Sequence, residues 1–176
     1  MDEVILLSPT GEEIGTAPKS AIHTADTPFH LAFSCYLFDD AGRMLMTRRS
    51  LSKRTWPGVW TNSFCGHPRP GETVVDAVRR HALVELGAEI TDLSLELPLF
   101  RYRATDASGV VEHELCPVYR ARLDSALQPA PAEVMDHTWV DPAEVAAAAR
   151  LTPWAFSPWF VLQVDLLDLF RAEAAA

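Results

Sequence analysis

The segment Thr-Asn-Ser-Phe-Cys-Gly-His-Pro at residues 61–68 brings a thiol and an imidazole within two positions of each other. A cysteine that faces a polar pocket exchanges protons or acts as a nucleophile, whereas a cysteine among apolar side chains is inert. An imidazole binds metal ions or exchanges a proton near neutral pH. Cys65 and His67 therefore indicate acid/base or metal chemistry, and a buried, inert Cys65 is the alternative. Cys35 and Cys116 lie within apolar strand patterns and are interpreted as core residues.

A carboxylate pattern on a predicted helix follows this segment. Its residues are Gly66, Glu72, Arg80, Glu85 and Gly87. The spacing resembles the Nudix box, G-x5-E-x7-R-E-U-x-E-E-x-G-U with U aliphatic, although His81 and Val84 replace two of its glutamates. Nudix hydrolases use these carboxylates to hold several Mg²⁺ ions and to activate water on a diphosphate. One Mg²⁺ between Glu85 and a substrate diphosphate remains compatible with the pattern, and a solvated helix residue is the alternative for Glu85.

Further candidates for metal binding are three histidines and two glutamates: His23, His30, His67, Glu112 and Glu114. The two glutamates share one face of a strand, because successive side chains point to opposite sides. Adjacent carboxylates repel each other unless a cation or a proton neutralises them. Together the five residues form a mixed nitrogen and oxygen set that suits Zn²⁺, Mn²⁺ or Fe²⁺ better than Ca²⁺. Single histidines are usually structural, and His113 and His137 are interpreted in that way.

Hydrophobic periodicity and turn residues predict the strands that must position these side chains. Strands are predicted at residues 4–7, 31–38, 44–47, 99–103 and 112–121, and a further strand ends at residue 140. Strands and helices mix along the chain without a regular βαβ alternation. This order predicts an α+β fold, namely an α/β/α sandwich with a mixed sheet.

Three helices are predicted from the residues at their ends. The first covers residues 73–86, because Thr73 suits the N-cap and Gly87 suits the position after the last turn. Its apolar face is expected to pack on the sheet through Val75, Val78, Ala82 and Leu86. The others begin at Asp141-Pro142 and at Ser157-Pro158, and the last helix reaches residue 170.

Composition limits the classes of protein to which the chain can belong. Its 176 residues include 48% hydrophobic and 22% charged residues, which predicts one globular domain over residues 1–176. A net charge of −9 disfavours nucleic acid binding, which needs an excess of Lys and Arg. Four of the 15 basic residues nevertheless lie within residues 48–54, which favours binding of a small anion. The lack of a signal-peptide pattern or a membrane-length apolar run, together with three cysteines, predicts a reduced, cytoplasmic location without membrane insertion.

Six segments in order resemble type I isopentenyl diphosphate isomerases over nearly the whole chain. They are HTADT at residues 23–27, TRR and SK within 47–53, WPGVWTNS at 56–63, CGHP at 65–68, FRYRA at 100–104 and TPWAFSPW at 152–159. Members of that family have a Nudix fold but isomerise a diphosphate instead of hydrolysing it, which agrees with the incomplete Nudix box. The resemblance implies a Nudix core over about residues 28–162. It also implies interconversion of isopentenyl and dimethylallyl diphosphate in isoprenoid biosynthesis.

The resemblance implies roles for four residues in this chemistry. Cys65 and Glu114 would form an acid/base pair on opposite faces of the alkene, which is protonated to a tertiary carbocation and then loses a proton. Tyr102 would hydrogen-bond near Glu114, and Trp159 would face the carbocation. The sequence leaves open which of Cys65 and Glu114 adds the proton. A dry site is required, because an unactivated double bond is a poor base.

Two metal ions and a phosphate clamp complete what the resemblance implies. The first ion, Mn²⁺ or Zn²⁺, would be bound by His23, His30, His67, Glu112 and Glu114. The second, Mg²⁺, would lie between Glu85 and the diphosphate. The phosphates would be held by Lys19, Arg49 and Lys53, with a bidentate contact from Arg49 and support from Arg80. Some family members carry Arg at the position of His81, which leaves the role of His81 open. The expected partner is a small prenyl diphosphate, and the protein is expected to be a monomer.

Two other functions stay open at this level. A Nudix diphosphohydrolase acting on a nucleotide or prenyl diphosphate would explain the helix pattern, but it would leave Cys65 and the His/Glu set without a role. A non-catalytic module that binds metal or diphosphate is the other alternative. Release of phosphate would identify the hydrolase, and unchanged isomerisation by a Cys65→Ala variant would argue against the acid/base role.

Overall fold

The structure is a computed structural model that describes residues 3–170. Its strands are β1 (Glu3–Leu7), β2 (Glu13–Pro18), β3 (His30–Leu31), β4 (Phe33–Phe38), β5 (Met44–Arg49), β6 (Trp60–Thr61), β7 (Phe64–Gly66), β8 (Ile90–Leu97), β9 (Arg101–Thr105), β10 (Val111–Leu115), β11 (Val118–Leu123) and β12 (Val134–Val140). Its α-helices are α1 (Lys19–Ile22), α2 (Val74–Leu86), α3 (Pro142–Leu151) and α4 (Pro158–Val164), with short 3₁₀ turns at Pro153–Ala155 and Asp168–Phe170. Within these residues, none of the helices is long and apolar enough to cross a membrane.

Two mixed sheets form the framework. The first has the order β2-β1-β3-β10-β9, and the second has the order β12-β5-β4-β11-β8, with β6 and β7 paired to β5 and β4. The pairs β3–β10 and β4–β11 are parallel, and the other neighbouring pairs are antiparallel. Helix α2 packs against one face of the second sheet, and α3 and α4 pack against the other face. Each contact forms a separate hydrophobic cluster. The predicted α+β fold, an α/β/α sandwich with mixed strand pairing, is confirmed.

Two of the predicted strands, at residues 31–38 and 112–121, each divide between the sheets. The first divides at Ala32 into β3 and β4, and the second divides before Val118 into β10 and β11. Pro117 has no backbone N–H, so the ladder is interrupted there, although its carbonyl still accepts from a β4 amide at 3.0 Å. Because β3–β10 and β4–β11 are both parallel pairs, the two segments pass side by side from the first sheet into the second.

The strand register of the first sheet aligns three residues that the sequence places in a site. His30 is opposite Glu114 in the parallel pair of β3 with β10. Glu114 is in turn opposite Tyr102 in the antiparallel pair of β10 with β9. Glu112 and Glu114 are both buried, and His113 between them alternates to the other face. The prediction that the two glutamates share one face of a strand is confirmed.

The segment around Cys65 is positioned by the short strands β6 and β7. Cys65 lies in β7 opposite Ser34 of β4, and Thr61 lies in β6 opposite Thr47 of β5. The loop between the two strands is buried as well, since Asn62 has no exposed surface. This segment is therefore fixed to the centre of the second sheet on both sides.

Helix α2 begins and ends at the predicted caps. The Thr73 side chain accepts a hydrogen bond from the amide three residues later, and Gly87 adopts a φ of 58° after the last turn. A Cβ at Gly87 would meet the Gln128 carbonyl oxygen at 2.7 Å, so the close approach also requires glycine. The Ala130 amide donates to the Glu85 carbonyl at 2.8 Å and satisfies one of the free carbonyls at the helix end.

Two predictions about the helices are wrong. Val75 is 36% exposed, and Ala77 and His81 take places on the buried face. The buried stripe follows the i, i+4 pairs 77/81 and 78/82, which leaves position 75 at its margin. The last helix ends at Val164 and not at residue 170, and the Ser157 hydroxyl bonds to a threonine hydroxyl of β6 instead of capping the helix.

Strands β2 and β8 are not predicted by the sequence pattern. Both lie at the edge of a sheet, and most of their side chains are exposed or half-buried. The β2 sequence, EIGTAP, contains a glycine and a proline and has little alternation, whereas β8 does alternate at Leu93, Leu95 and Leu97, a signal that sequence reasoning did not use.

Candidate active site

A cavity of about 340 Å³ opens between the first sheet, the β7 segment and helix α2. Of the residues that the sequence predicts for a site, His30 and Arg80 do not line this cavity, but His30 contacts His67 and Glu114, which do. The others that line it are Lys19, His23, Arg49, Lys53, Cys65, His67, Glu85, Tyr102, Glu112, Glu114 and Trp159. Residues more than 130 positions apart in the sequence are thus brought to one cavity.

Three imidazoles and a carboxylate meet at one end of the cavity. Ligand atoms of His23, His30, His67 and Glu114 all lie within 4.8 Å of one another. The Nδ1–H of His30 donates to the Pro28 carbonyl at 2.9 Å, so Nε2 of the neutral ring keeps a free lone pair. That nitrogen lies 3.2 Å from Nε2 of His67 and 3.4 Å from Oε1 of Glu114. Acceptor atoms this close to each other require a proton or a cation between them.

The spacing and the unsatisfied atoms of this cluster fit a divalent cation. Ligands at about 2.1 Å from a metal ion stand about 3 Å apart when they are adjacent in its coordination shell. Within residues 3–170, four buried side-chain nitrogen or oxygen atoms have no hydrogen-bond partner. They include Nε2 of His23 and Oε2 of Glu112, and also Nδ1 of His67, the ring nitrogen opposite the one that meets His30 and Glu114. Oε2 of Glu112 lies 3.1 Å from Nε2 of His23 without hydrogen-bond geometry, and its Oε1 accepts from the Thr55 hydroxyl at 2.7 Å. Glu112 thus lies beside the tight group of four.

Burial and charge set the protonation of the cluster. Burial lowers the pKa of His67 to about 3, even though Glu114 accepts a hydrogen bond from it. Burial also opposes the charged form of His30, but the hydrogen bond to Glu114 and its charge raise the pKa of His30. Burial favours the neutral Glu114 carboxyl, yet its contacts with His30 and His67, which donate to it when protonated, hold its pKa well below the usual range. Glu114 and His67 are therefore in the forms that bind a metal ion, a carboxylate and a neutral imidazole, whereas binding of an ion would displace a proton from His30.

The Tyr102 hydroxyl and the Cys65 thiol, which can both exchange protons, also line the cavity. Oε2 of Glu114 accepts from the Tyr102 hydroxyl at 2.8 Å. The Cys65 thiol donates to Oδ1 of Asn62 at 3.2 Å and lies 3.4 Å from the Ser34 hydroxyl. Burial raises the pKa of Cys65 to about 11, although these two hydrogen bonds oppose the shift. The sulfur is therefore a protonated thiol next to a carboxylate-bearing wall.

Asn62, which sequence reasoning does not single out, holds both the sulfur and an aromatic wall. Its Nδ2 donates to the carbonyls of Cys35 and Phe64 at 3.1 and 2.8 Å. Its Oδ1 accepts from the Cys65 thiol and from Nε1 of Trp159 at 2.9 Å. An indole N–H only donates, which fixes the orientation of the amide. One buried oxygen atom therefore sets the positions of Cys65 and Trp159.

We expect Asn62→Ala to lower kcat about 10²-fold, since the thiol and the indole lose their common acceptor and shift. KM should change less than kcat, because Arg49, which lies against the Trp159 ring, is one of three expected phosphate ligands. The measurement is steady-state kinetics together with a thermal melt. Thr61→Val is the matched control, because it removes a third donor to the same oxygen atom but leaves Cys65 and Trp159 in place. An unchanged kcat in a folded Asn62→Ala protein would contradict this prediction.

Arg49, which is expected to bind phosphate, already donates hydrogen bonds to backbone carbonyls of the protein. Nε and Nη2 of Arg49 donate to the Thr55 carbonyl, and Nε also donates to the Trp56 carbonyl. The guanidinium carbon lies 5.2 Å from the centre of the Trp159 ring. These bonds hold Trp56, which has the unusual φ of 43° for a residue with a side chain. The predicted bidentate contact of Arg49 therefore has to use its remaining N–H groups.

Lys53 and Arg80 also have partners within the described chain. Lys53 forms an ion pair with Glu133, a residue that the sequence pattern does not identify. Arg80 donates to both carboxylate oxygens of Glu72 at 2.7 Å and to the His67 carbonyl at 3.1 Å. Arg80 does not line the cavity. It therefore holds the His67 backbone and does not reach the place expected for the phosphates.

Glu85 faces the cavity and not the solvent. Its side chain is 12% exposed, which rules out the solvated helix residue as its description. Its Oε1 lies 2.6 Å from Nδ1 of His81, and hydrogen bonding to His81 keeps its pKa below the usual value despite burial. The exposed Val84 beside it contributes no oxygen ligand. A single carboxylate therefore remains from the Nudix box at this end of the cavity.

The chain is similar to proteins of one family. A family model described as NUDIX domain matches residues 28–160. The isopentenyl-diphosphate Delta-isomerase of Agromyces mediolanus is 61% identical over 98% of this chain and 84% of its own length. The isopentenyl-diphosphate Delta-isomerase of Klebsiella pneumoniae subsp. pneumoniae is 54% identical over 97% of this chain and 93% of its own length.

Solved structures share the fold at low sequence identity. DR0079 from Deinococcus radiodurans superposes with a TM-score of 0.72 over 95% of this chain and 99% of that chain, at 23% identity. The MutT protein from Methanosarcina mazei superposes with a TM-score of 0.55 over 68% of this chain and 82% of that chain, at 19% identity. From the matched family model and from relatives of such high identity and coverage, we conclude that the chain belongs to the isopentenyl-diphosphate Delta-isomerases of the Nudix superfamily.

Proposed function

We propose that the protein interconverts isopentenyl diphosphate and dimethylallyl diphosphate at this cavity, in isoprenoid biosynthesis. The observation that carries the proposal is the joint presence of Cys65, Glu114 and Trp159 in the wall of one cavity that Lys19 and Lys53 also line. Such a cavity combines two groups that exchange protons, an aromatic wall and cations for a diphosphate. The reaction requires all of these features together.

The reaction moves one proton to the substrate and another away from it. A proton added to the terminal CH₂ carbon makes a methyl group, and the double-bond electrons form the new C–H bond. The neighbouring tertiary carbon becomes cationic, and loss of a proton from the CH₂ on its other side forms the new double bond. The net charge and composition are unchanged. Because an isolated alkene is a poor base, the acid must be held close to it in a site without water.

Cys65 and Glu114 are the proposed acid/base pair. They act on opposite faces of the alkene, and the group that donates in one direction accepts in the other by microscopic reversibility. The Tyr102 hydroxyl, 2.8 Å from Glu114, orients the carboxyl and relays its proton. The Trp159 ring, held by its Nε1 hydrogen bond, lies beside the cationic carbon and stabilises it.

Two divalent metal ions are part of the proposal. His23, His30, His67, Glu112 and Glu114 are proposed to hold Mn²⁺ or Zn²⁺, which suit a mixed imidazole and carboxylate set. When bound, this ion supplies positive charge that fixes Glu114 and adjusts its acidity. Glu85 is proposed to hold Mg²⁺ together with the diphosphate, since Mg²⁺ commonly binds one carboxylate plus phosphate oxygens. Lys19, Arg49 and Lys53 are proposed to bind the remaining phosphate charge.

We expect chelation to lower the activity at least about 10-fold, because both ends of the cavity then lose a cation that balances their carboxylates. Mg²⁺ alone should restore little activity, whereas Mg²⁺ with Mn²⁺ or Zn²⁺ should restore most of it. The measurement is activity after chelator treatment and desalting, with metal content determined by mass spectrometry. Full activity in a protein that contains less than a tenth of an ion per chain would exclude the metal requirement.

The decisive experiment is incubation of the purified protein with isopentenyl diphosphate in D₂O. NMR should show an allylic product with deuterium in its methyl group and no release of phosphate. The alternative, a Nudix diphosphohydrolase, would release phosphate without an allylic isomer. That alternative is disfavoured by His81 and Val84, which stand where its glutamates are expected. A protein that binds the diphosphate but gives neither product would be a non-catalytic module.

We also propose where the enzyme is located and that it acts without a partner protein. Its three cysteines are unpaired, which supports a reducing, cytoplasmic location. We propose a monomer, which sedimentation analysis would test. The small prenyl diphosphate substrate needs no partner protein in this scheme.

A further inference from the structure

His81 occupies a buried place beside the cavity that the proposed chemistry leaves unused. It lies on α2 one turn before Glu85, and the residue is 6% exposed. Its Nδ1 is 2.6 Å from Oε1 of Glu85, so the ring N–H donates to the carboxylate. The edge of the ring packs on Phe33, with 5.3 Å between the ring centres. The imidazole is therefore held in one orientation by an apolar contact and by a charged hydrogen bond.

Gly66 provides the space for this ring. A Cβ at position 66 would lie 2.5 Å from Cε1 and Nε2 of His81 and 2.6 Å from its Cδ2. Heavy atoms do not approach so closely without a displacement. Gly66 is not among the glycines with a positive φ, so its backbone conformation is open to other residues. The glycine is required by the neighbouring imidazole and not by the turn.

The hydrogen bond from His81 removes the remaining freedom of Glu85. The Ala130 amide already fixes the main chain of Glu85 through its carbonyl at 2.8 Å. His81 fixes one carboxylate oxygen, Oε1. A buried carboxylate that a neighbouring side chain orients through one oxygen is arranged as a ligand with a supporting partner.

We propose that His81 is a positioning residue that holds the Glu85 carboxylate in the orientation that binds the ion shared with the diphosphate, and that Gly66 is glycine because of this ring. The inference rests on the proposed function, which assigns that ion to Glu85. Partners of metal ligands typically change metal affinity 10- to 100-fold when they are removed.

Asparagine and glutamine separate the positioning role from a general packing role. The Asn side-chain nitrogen occupies the position of Nδ1, whereas the Gln nitrogen extends toward the position of Nε2. His81→Asn should therefore keep the bond to Glu85, and His81→Gln and His81→Leu should lose it. The readout is Mn²⁺ binding by electron paramagnetic resonance in the presence of inorganic pyrophosphate. We expect His81→Asn to bind within about 3-fold of wild type, and His81→Gln and His81→Leu to bind about 10- to 100-fold more weakly.

Gly66 gives an independent test that leaves His81 in place. Gly66→Ala should push the imidazole away and weaken Mn²⁺ binding as much as His81→Leu. The double variant Gly66→Ala/His81→Asn should recover part of the affinity, because asparagine has no ring atoms where the new methyl group lies. Thermal melts of every variant establish that the compared proteins are folded.

Glu85→Gln is the reference that identifies the relevant ion. It should lose the pyrophosphate-dependent Mn²⁺ and keep the ion at the His/Glu cluster. If it loses that ion but His81→Leu and Gly66→Ala bind like wild type, the inference is overturned and the assignment of Glu85 stands. If Glu85→Gln keeps the ion, the assignment of Glu85 falls and the inference falls with it.

Discussion

Glu114→Gln is expected to lower kcat by about 10³- to 10⁴-fold, because the amide can neither donate nor accept the proton that the carboxyl exchanges. Glutamine has the same shape, so the Tyr102 hydroxyl and the nearby imidazoles keep a hydrogen-bonding partner. Diphosphate binding should stay within a few-fold of wild type, since Lys19, Arg49 and Lys53 are untouched. The measurements are steady-state turnover and calorimetric binding of inorganic pyrophosphate.

Glu13→Gln is the matched control for this variant. Glu13 lies in β2 of the same sheet, is exposed, and undergoes the same chemical change at the same cost in charge. It should retain wild-type turnover. Loss of pyrophosphate binding together with a normal residual rate in Glu114→Gln would contradict the role given to Glu114.

Cys65→Ala is expected to lower turnover by about 10²- to 10⁴-fold, because one face of the alkene then lacks its acid/base group. Cys65→Ser keeps a hydroxyl at the same place, but its much higher pKa should leave it only partly active. Trp159 keeps its acceptor in both variants, so the aromatic wall is preserved. The measurement is isomerisation of isopentenyl diphosphate, with metal content determined in parallel.

The control for the thiol is Cys35→Ala. Cys35 is fully buried in the cluster under α2 and does not line the cavity. It should melt at a lower temperature, because a small hole is left in a packed core, but it should turn over normally when folded. Full activity in Cys65→Ala with intact metal content would remove sulfur from the reaction.

Two parts of this site can be predicted from short-range sequence patterns. The alternation of Glu112, His113 and Glu114 predicts two carboxylates on one face of a strand, as observed. The caps at Thr73 and Gly87 predict the limits of α2 to within a residue. Both signals depend only on neighbours along the chain, which is why they need no knowledge of the fold.

Tertiary contacts set what the sequence does not reveal. The pairing of His30 with Glu114 joins parallel strands 84 positions apart, and no local pattern encodes that register. Asn62 and Glu133 act through hydrogen bonds and ion pairs that exist only after the sheets have formed. The ligand set and the acid/base pair were expected because of a family resemblance, since the spacing of the histidines is not diagnostic by itself.

The passage of two paired segments from one sheet into the other has a mechanical consequence. Glu114 is hydrogen-bonded in register to β3, and four residues beyond His30 the same chain reaches Ser34, which is paired with Cys65. The distance between Glu114 and Cys65, which the alkene must span, is therefore set by extended main chain that is hydrogen-bonded to both strands. Thermal motion of side chains leaves this backbone spacing unchanged as long as both ladders hold, and local opening of either ladder would change it. The distance that the two ladders set between Glu114 and Cys65 should therefore be lost when the shorter ladder, β3–β10, opens, and not before.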